Sequence, residues 1–234
     1  MKFKSALIPL SVAAMVFFAG CAASQTDTRT TENTPVTPVS APTPAPQPSS
    51  NLSDMDKQLA LPTAGDKIAV IETDLGTMKI KLFPDIAPES VKNMEELSKS
   101  GKYKDIPFHR IARNPDGGNF VIQTGDFTKK DGTGGYSYKG PGTYIPNEIS
   151  PALHHIYGAL GMARTNMPDT NGSQFYFVTG KGGASFLDGG YTVFGQVYEG
   201  MDVMDAIAAV KTDENDRPLK DILVKNVTVM PYTP

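Results

Sequence analysis

The chain has 234 residues, 39% hydrophobic and 20% charged, with a formal charge of −3; this is the make-up of a folded domain without the basic field of a nucleic-acid binder. A single cysteine excludes an intramolecular disulfide, a cysteine zinc cluster and a paired-thiol redox motif. No tryptophan, with Gly 22 and Pro 19, predicts many turns and short strands rather than long helices.

The chain opens with a positive segment, Lys2 and Lys4, followed by an apolar run from Ala6 to Ala19 and no further charge until Asp27. That run is too short, and too interrupted by Pro9 and Ser11, to read as a membrane-spanning helix. It ends Phe17-Phe18-Ala19-Gly20-Cys21. Small residues ahead of a lone cysteine resemble the lipobox of bacterial lipoproteins, with Phe18 where a leucine is usual. The resemblance implies a leader at 1–20 and lipidation, including palmitate, at Cys21; several acyl chains would make such an anchor stable. The alternative is a secretory peptide cleaved near Ala23, with no anchor. Residues 21–64 read as a disordered tether. Pro35, Pro38, Pro42, Pro44, Pro46 and Pro48 punctuate a Thr/Ser/Ala background without aromatics from Ala22 onward, too polar to offset its ordering entropy and stiffened toward extended conformers. A short helix near Leu52 to Leu61 is an option.

Residues 65–234 are enough for one well-cored domain. Ile68–Thr73 and Met78, Ile80 and Leu82, alternating with polar residues around Asp74-Leu75-Gly76, predict a β-hairpin. Pro88 opens a helix with Val91, Met94 and Leu97 on one face and Gly101 as its stop. A second helix is expected over Met201–Lys211, with Met204, Ile207 and Ala208 inward, and short strands fill the rest up to Met230. Many strands with two helices predict a mainly β fold, a barrel capped by helices.

Three blocks, Phe108-His109-Arg110-Ile111, Phe120-Val121-Ile122-Gln123-Thr124-Gly125-Asp126-Phe127 and Asn171-Gly172-Ser173-Gln174-Phe175-Tyr176-Phe177, resemble the signature segments of the cyclophilins. Gly158–Arg164 and Phe186–Gly195 extend the resemblance in the family's order. It implies an eight-stranded antiparallel barrel closed by two α-helices and peptidyl-prolyl cis–trans isomerase (rotamase) activity on proline-containing polypeptides, with no cofactor and no metal. By the same resemblance Arg110 is the guanidinium aimed at the prolyl nitrogen, and Gln123 binds substrate backbone and supports Arg110. Phe120, Met162 and Leu187 line the proline pocket, although a Met or an aromatic among strands is more simply core. Ala163 and Arg164 pair with the peptide main chain, and Gln174 adds a polar wall.

His109, beside Arg110, suggests a general base, but rotation about a bond needs no net proton transfer, so a wall or hydrogen-bonding role is expected. His154 and His155 are adjacent and would point to opposite faces of a strand; they read as structural or surface residues, without a metal-site spacing. The Gly132–Gly142 run lacks the Gly-Lys-Ser/Thr ending of a phosphate loop. Against the family pattern, Tyr176 replaces a pocket phenylalanine, which predicts a more polar floor. Phe186 replaces a tryptophan whose N–H helps bind cyclosporin, which predicts weaker inhibition, and Tyr191 replaces a rim histidine. Extra residues around Asn114–Gly118 predict an outward loop. The expected setting is a monomeric domain outside the cytoplasm, tied by lipid to a bacterial membrane and assisting protein folding. Ala22, where an aspartate would favour inner-membrane retention, suggests the outer membrane in a cell with two. The competing class is a proline-peptide binding module, a holdase or a surface adhesin with incidental isomerisation.

Overall fold

The computed structural model describes residues 51–234; the expected leader, Cys21 and the tether up to residue 50 lie outside them. The hairpin forms as the alternation predicts. Strands β1 (Lys67–Thr73) and β2 (Gly76–Leu82) pair in register from Ile68↔Lys81 to Thr73↔Gly76, and Met78, Ile80 and Leu82 are buried. Helix α2 (Pro88–Lys99) buries Val91, Met94 and Leu97, and a left-handed Gly101 follows its end. The remaining strands are β3 (Ile106–Pro107), β4 (Arg110–Arg113), β5 (Asn119–Thr124), β6 (Ala159–Met162), β7 (Phe175–Val178), β8 (Val193–Glu199) and β9 (Leu223–Pro231). Helix α3 (Met201–Ala208) sits between β8 and β9 with Met204, Ile207 and Ala208 buried. It stops three residues before the expected Lys211, its last carbonyls meeting the N–H groups of Ala209 and Val210.

All strands join one antiparallel sheet in the order β3-β9-β1-β2-β8-β6-β7-β5-β4. Nine strands are assigned where eight were expected, and the difference lies in one bend. β3 and β4 are separated only by Phe108 and His109; the first pairs with β9 and the second with β5. Thr124 on β5 also donates to the Pro107 carbonyl, and the Ile111 N–H donates to the Asp216 carbonyl. Ile106–Arg113 therefore behaves as one kinked strand between β5 and β9, and the sheet returns on itself.

The period of two along the strands separates two apolar layers. Ile111, Ile122, Leu160, Phe175, Phe177 and Phe194 point into the barrel with the buried faces of α2 and α3. Their neighbours Ala112, Val121, Ala159, Tyr176, Val178 and Val193 form a second cluster on the opposite face, covered by Leu153, Ala184, Ile156 and Leu187. This is why β6 and β7 are buried at every position: one face is core and the other is the foundation of a cleft.

The end of the stretch that composition assigns to the tether is structured. Helix α1 (Asn51–Leu59), close to the optional helix at Leu52–Leu61, inserts Gln58 against the barrel. Only 1% of Gln58 is exposed, and its amide bonds to both main-chain groups of His154.

Candidate active site

The outer cluster floors a cleft of about 320 Å³ lined by Arg110, Phe120, Val121, Gln123, Ala163, Arg164, Tyr176, Phe186, Leu187 and Tyr191. Strand pairing explains the assembly. Arg110 and Gln123 are direct register partners on β4 and β5, so their side chains share a face, and Val121 joins Gln123 on that face two residues earlier. Tyr176 lies opposite Gly161 on β6, where a side chain would not fit: a Cβ would stand 2.6 Å from the Tyr176 ring. Leu187 and Phe186 come from a single 3₁₀ turn, Ser185–Leu187. Phe186 is 72% exposed at the rim, its ring 5.4 Å from that of Phe120.

The polar side of the cleft is tightly tied. Gln123 donates to Gln174 Oε1 at 2.8 Å, and Gln174 donates in turn to the carbonyls of Gly132 and Gly134. The loop carrying those carbonyls wraps around Asp126, whose buried carboxylate accepts from the backbone N–H groups of Thr128, Lys129, Asp131, Gly132 and Gly134. Burial opposes ionisation of Asp126, but these donors together hold its carboxyl far below the usual range. Gln174, Gly132, Gly134 and Thr165 line an adjoining pocket of about 270 Å³ that shares Gln123, Ala163 and Arg164 with the cleft. Arg164 divides the two. Its guanidinium donates to the Gly190 and Thr165 carbonyls and lies 4.3 Å from the Tyr191 ring centre, which makes it a fixed wall.

Arg110 is different. Its side chain is 45% exposed, and its Nε donates to Asp216 at 3.3 Å. Asp216 takes the supporting role expected of Gln123, whose amide points to Gln174 instead. Asp216 has a left-handed backbone, φ 64°, in the loop before β9, and no sequence pattern marks it.

Two expected cleft residues lie elsewhere. Met162 shares the inward face of Leu160 and belongs to the barrel core, because alternation along β6 gives the outward position to Ala163. His109 is 5% exposed and lies beneath the glycine loop, where a Cβ on Gly132 would come within 2.8 Å of its ring. Burial pushes its pKa down to about 4 against the opposing pull of Asp126, so at neutral pH it is an uncharged packing residue. Val121 was missed; its position two before Gln123 was the available signal.

The floor is not more polar, as the Tyr176 substitution suggested. The Tyr176 hydroxyl is turned away to His155 Nε2 at 2.9 Å, and His155 Nδ1 meets Asp188 Oδ1 at 2.6 Å. Asp188 also accepts from the His155 N–H and contacts His154 Nδ1. Burial pushes the His155 pKa down, and Asp188 opposes it. The neutral tautomer with Nδ1–H on the carboxylate and Nε2 accepting from tyrosine satisfies every partner. The two histidines are structural, as expected, but they do not point to opposite faces: they lie outside any strand, both reach the Asp188 carboxylate, and they support the cleft floor. Among the described residues no group of three or more His, Cys, Asp or Glu side chains could hold a metal.

An exposed guanidinium beside an apolar cup, with a tethered glutamine at its edge, can hold a proline ring and stabilise charge above it. The hydroxyl–imidazole pair at the cleft floor, Tyr176 with His155, is turned away from the cup. The family model described as cyclophilin-type peptidyl-prolyl cis-trans isomerase matches residues 68–229. A peptidyl-prolyl cis-trans isomerase of Arabidopsis thaliana is 42% identical over 161 residues, covering 68% of this chain and 24% of that protein. A Staphylococcus epidermidis protein named for the same activity is 36% identical over 186 residues, covering 68% of this chain and 90% of that protein. A crystal structure of a cyclophilin-type isomerase from Cryptosporidium parvum superposes with a TM-score of 0.65 at 31% identity, covering 72% of this chain and 99% of that one. A second crystal structure of the Cryptosporidium protein, obtained with the dipeptide Ala-Pro, gives 0.64 at 32% identity, covering 70% and 99%.

Proposed function

We propose, on the premise that this chain belongs to the cyclophilin-type peptidyl-prolyl cis–trans isomerases, that it speeds X-Pro isomerisation in proteins folding outside the cytoplasm while anchored to a membrane through Cys21. The observation that supports the catalytic part is Arg110 lining one cleft with Phe120, Val121, Tyr176 and Leu187.

Rotation about the peptide bond is opposed by ~18–20 kcal/mol of lost amide resonance, and unaided X-Pro exchange takes tens to hundreds of seconds. Twisting makes the prolyl nitrogen pyramidal and localises its lone pair. A guanidinium donating to that lone pair favours the twisted amide over either planar form, which is the differential binding that lowers a barrier. Asp216 on Nε leaves the outer edge of the Arg110 guanidinium facing the cleft. The apolar cup holds the ring while the preceding carbonyl swings, and Gln123, Ala163 and Arg164 line the path of the flanking backbone. No bond breaks, so neither cofactor nor metal enters the scheme.

The anchoring part rests on the lone cysteine behind an apolar leader. Among the described residues no helix is long and apolar enough to cross a membrane. Labelled palmitate incorporated into the wild type and lost in Cys21→Ser would support the anchor; unchanged labelling would refute it. In a cell with two membranes the outer one is the proposed site, and recovery solely in inner-membrane fractions would exclude it.

The decisive test is cis-to-trans exchange of an Ala-Pro peptide by the chain and by Arg110→Ala. Catalysis that collapses in a folded variant supports the isomerase. A folded wild type that binds the peptide without accelerating exchange would favour a proline-peptide binding module.

A further inference from the structure

We propose that helix α1 is a positioning element of the isomerase cleft, acting through Gln58 on the turn that carries His154 and His155 and through that turn on Tyr176 and Leu187. This rests on the isomerase reading given above. Gln58 lies ahead of residues 68–229, the part that the family model matches. A glutamine ahead of a domain would ordinarily be solvated, yet this one is 1% exposed with its amide fully engaged. Its Nε2 donates to the His154 carbonyl at 2.8 Å and to Gln196 Oε1 at 3.1 Å, and its Oε1 accepts from the His154 N–H at 2.9 Å. Gln196 is itself fixed on β8 by donating to the Tyr157 carbonyl. Gln58 thus clamps the chain just before His155.

The turn it clamps has a second set of bonds. Asp188 takes the His155 N–H and Nδ1 on one oxygen and His154 Nδ1 on the other. Asp188 directly follows Leu187, a wall of the cup, and His155 Nε2 holds the hydroxyl of Tyr176, its floor. The Ala184 N–H also donates to the His155 carbonyl, which ties down the start of the 3₁₀ turn. Every link from Gln58 to the two cup residues is a short hydrogen bond or an adjacent residue. Removing the Gln58 amide takes the partners from both part-buried main-chain groups of His154 and leaves the buried Gln196 oxygen unpaired, which favours a shift of the turn. Arg110 and Gln123 stand on β4 and β5, outside this chain of contacts. The loss should therefore fall on grip of the proline rather than on stabilisation of the twisted amide.

The test measures KM and kcat for an Ala-Pro peptide in the full chain, Gln58→Ala, Tyr176→Phe and the double variant. The expectation is a KM raised roughly fivefold in Gln58→Ala with kcat within about twofold, the pattern of lost uniform binding. In the Tyr176→Phe background, where the link to the floor is cut and only the one to Leu187 remains, the same substitution should raise KM by a clearly smaller factor, because coupled residues are non-additive. An unchanged KM in Gln58→Ala, or an equal fold-change in both backgrounds, overturns the proposal. Should Gln58→Ala fail to fold, the unmutated chain still decides: the Gln58 side-chain amide resonances should move on saturation with the peptide, and their constancy overturns it. Absence of catalysis in the wild type would instead sink the isomerase reading, while the resonance titration would still report on the coupling.

Discussion

Arg110 is held at one edge by Asp216 and open at the other, the arrangement that the proposed mechanism asks of a guanidinium meeting a transient lone pair. Arg110→Ala is expected to lower kcat/KM by about 10²–10³, the usual loss when a pre-placed donor is removed, with unchanged circular dichroism as the control. At the rim, Phe186→Trp should strengthen cyclosporin inhibition, because it places an N–H donor on a side chain that is already 72% exposed and packed against Phe120; an unchanged inhibition curve would count against that assignment. Arg110, Phe120 and Gln123 are legible in the sequence because they stand in contiguous blocks whose spacing the strands preserve. Met162 was misplaced because block matching ignores which face of a strand a residue takes; alternation with Ala163 decides it. Asp216 and Gln58 were not legible, since their contacts span 106 and 96 residues and neither sits in a marked motif.

Secondary elements were easier to read than their docking. The first hairpin and α2 follow from periodicity and glycine stops, whereas α1 has a polar sequence in which, over residues 54–59, the one buried side chain is a glutamine. The glycine loop after β5 is organised by Asp126 rather than by glycine content. Its carboxylate gathers five backbone donors, and the loop passes that order through Gly132 and Gly134 to Gln174 and Gln123. Asp126→Asn, which replaces an acceptor by a donor facing N–H groups, is expected to destabilise the fold by ~2–3 kcal/mol and to raise KM for peptides that reach the adjoining pocket. Urea unfolding with an unchanged m-value would check the first effect.

For the molecule as a whole, acid stability follows from its buried imidazoles. His109 titrates near pH 4 when folded and near 6.5 when unfolded. Between those values the unfolded chain binds a proton that the folded one refuses. Its contribution is therefore complete above pH 6.5, falls as the pH drops, and levels off below about 4, a loss of roughly 3 kcal/mol. His155, also held down by burial, acts in the same direction. Urea midpoints measured from pH 7 to pH 4 should fall, with a shallower slope in His109→Gln; identical slopes would show that another group governs the loss. Barrel architecture was legible from strand count and the family blocks, whereas the bend at Phe108–His109 that divides one strand into two is marked only by the preceding Pro107, which cannot donate to a ladder.

That bend has a consequence for how unfolded chains are handled. An open sheet edge presents a ladder of unpaired donors and acceptors, an invitation to strand addition and to aggregation. Here the kinked segment closes the sheet against both β5 and β9, and the N–H groups of Phe108 and Ile111 are taken by Ile222 and Asp216. A polypeptide meeting this protein finds no template to extend at that seam, so under the proposed function its hold is confined to the cleft and its strands are left unrecruited.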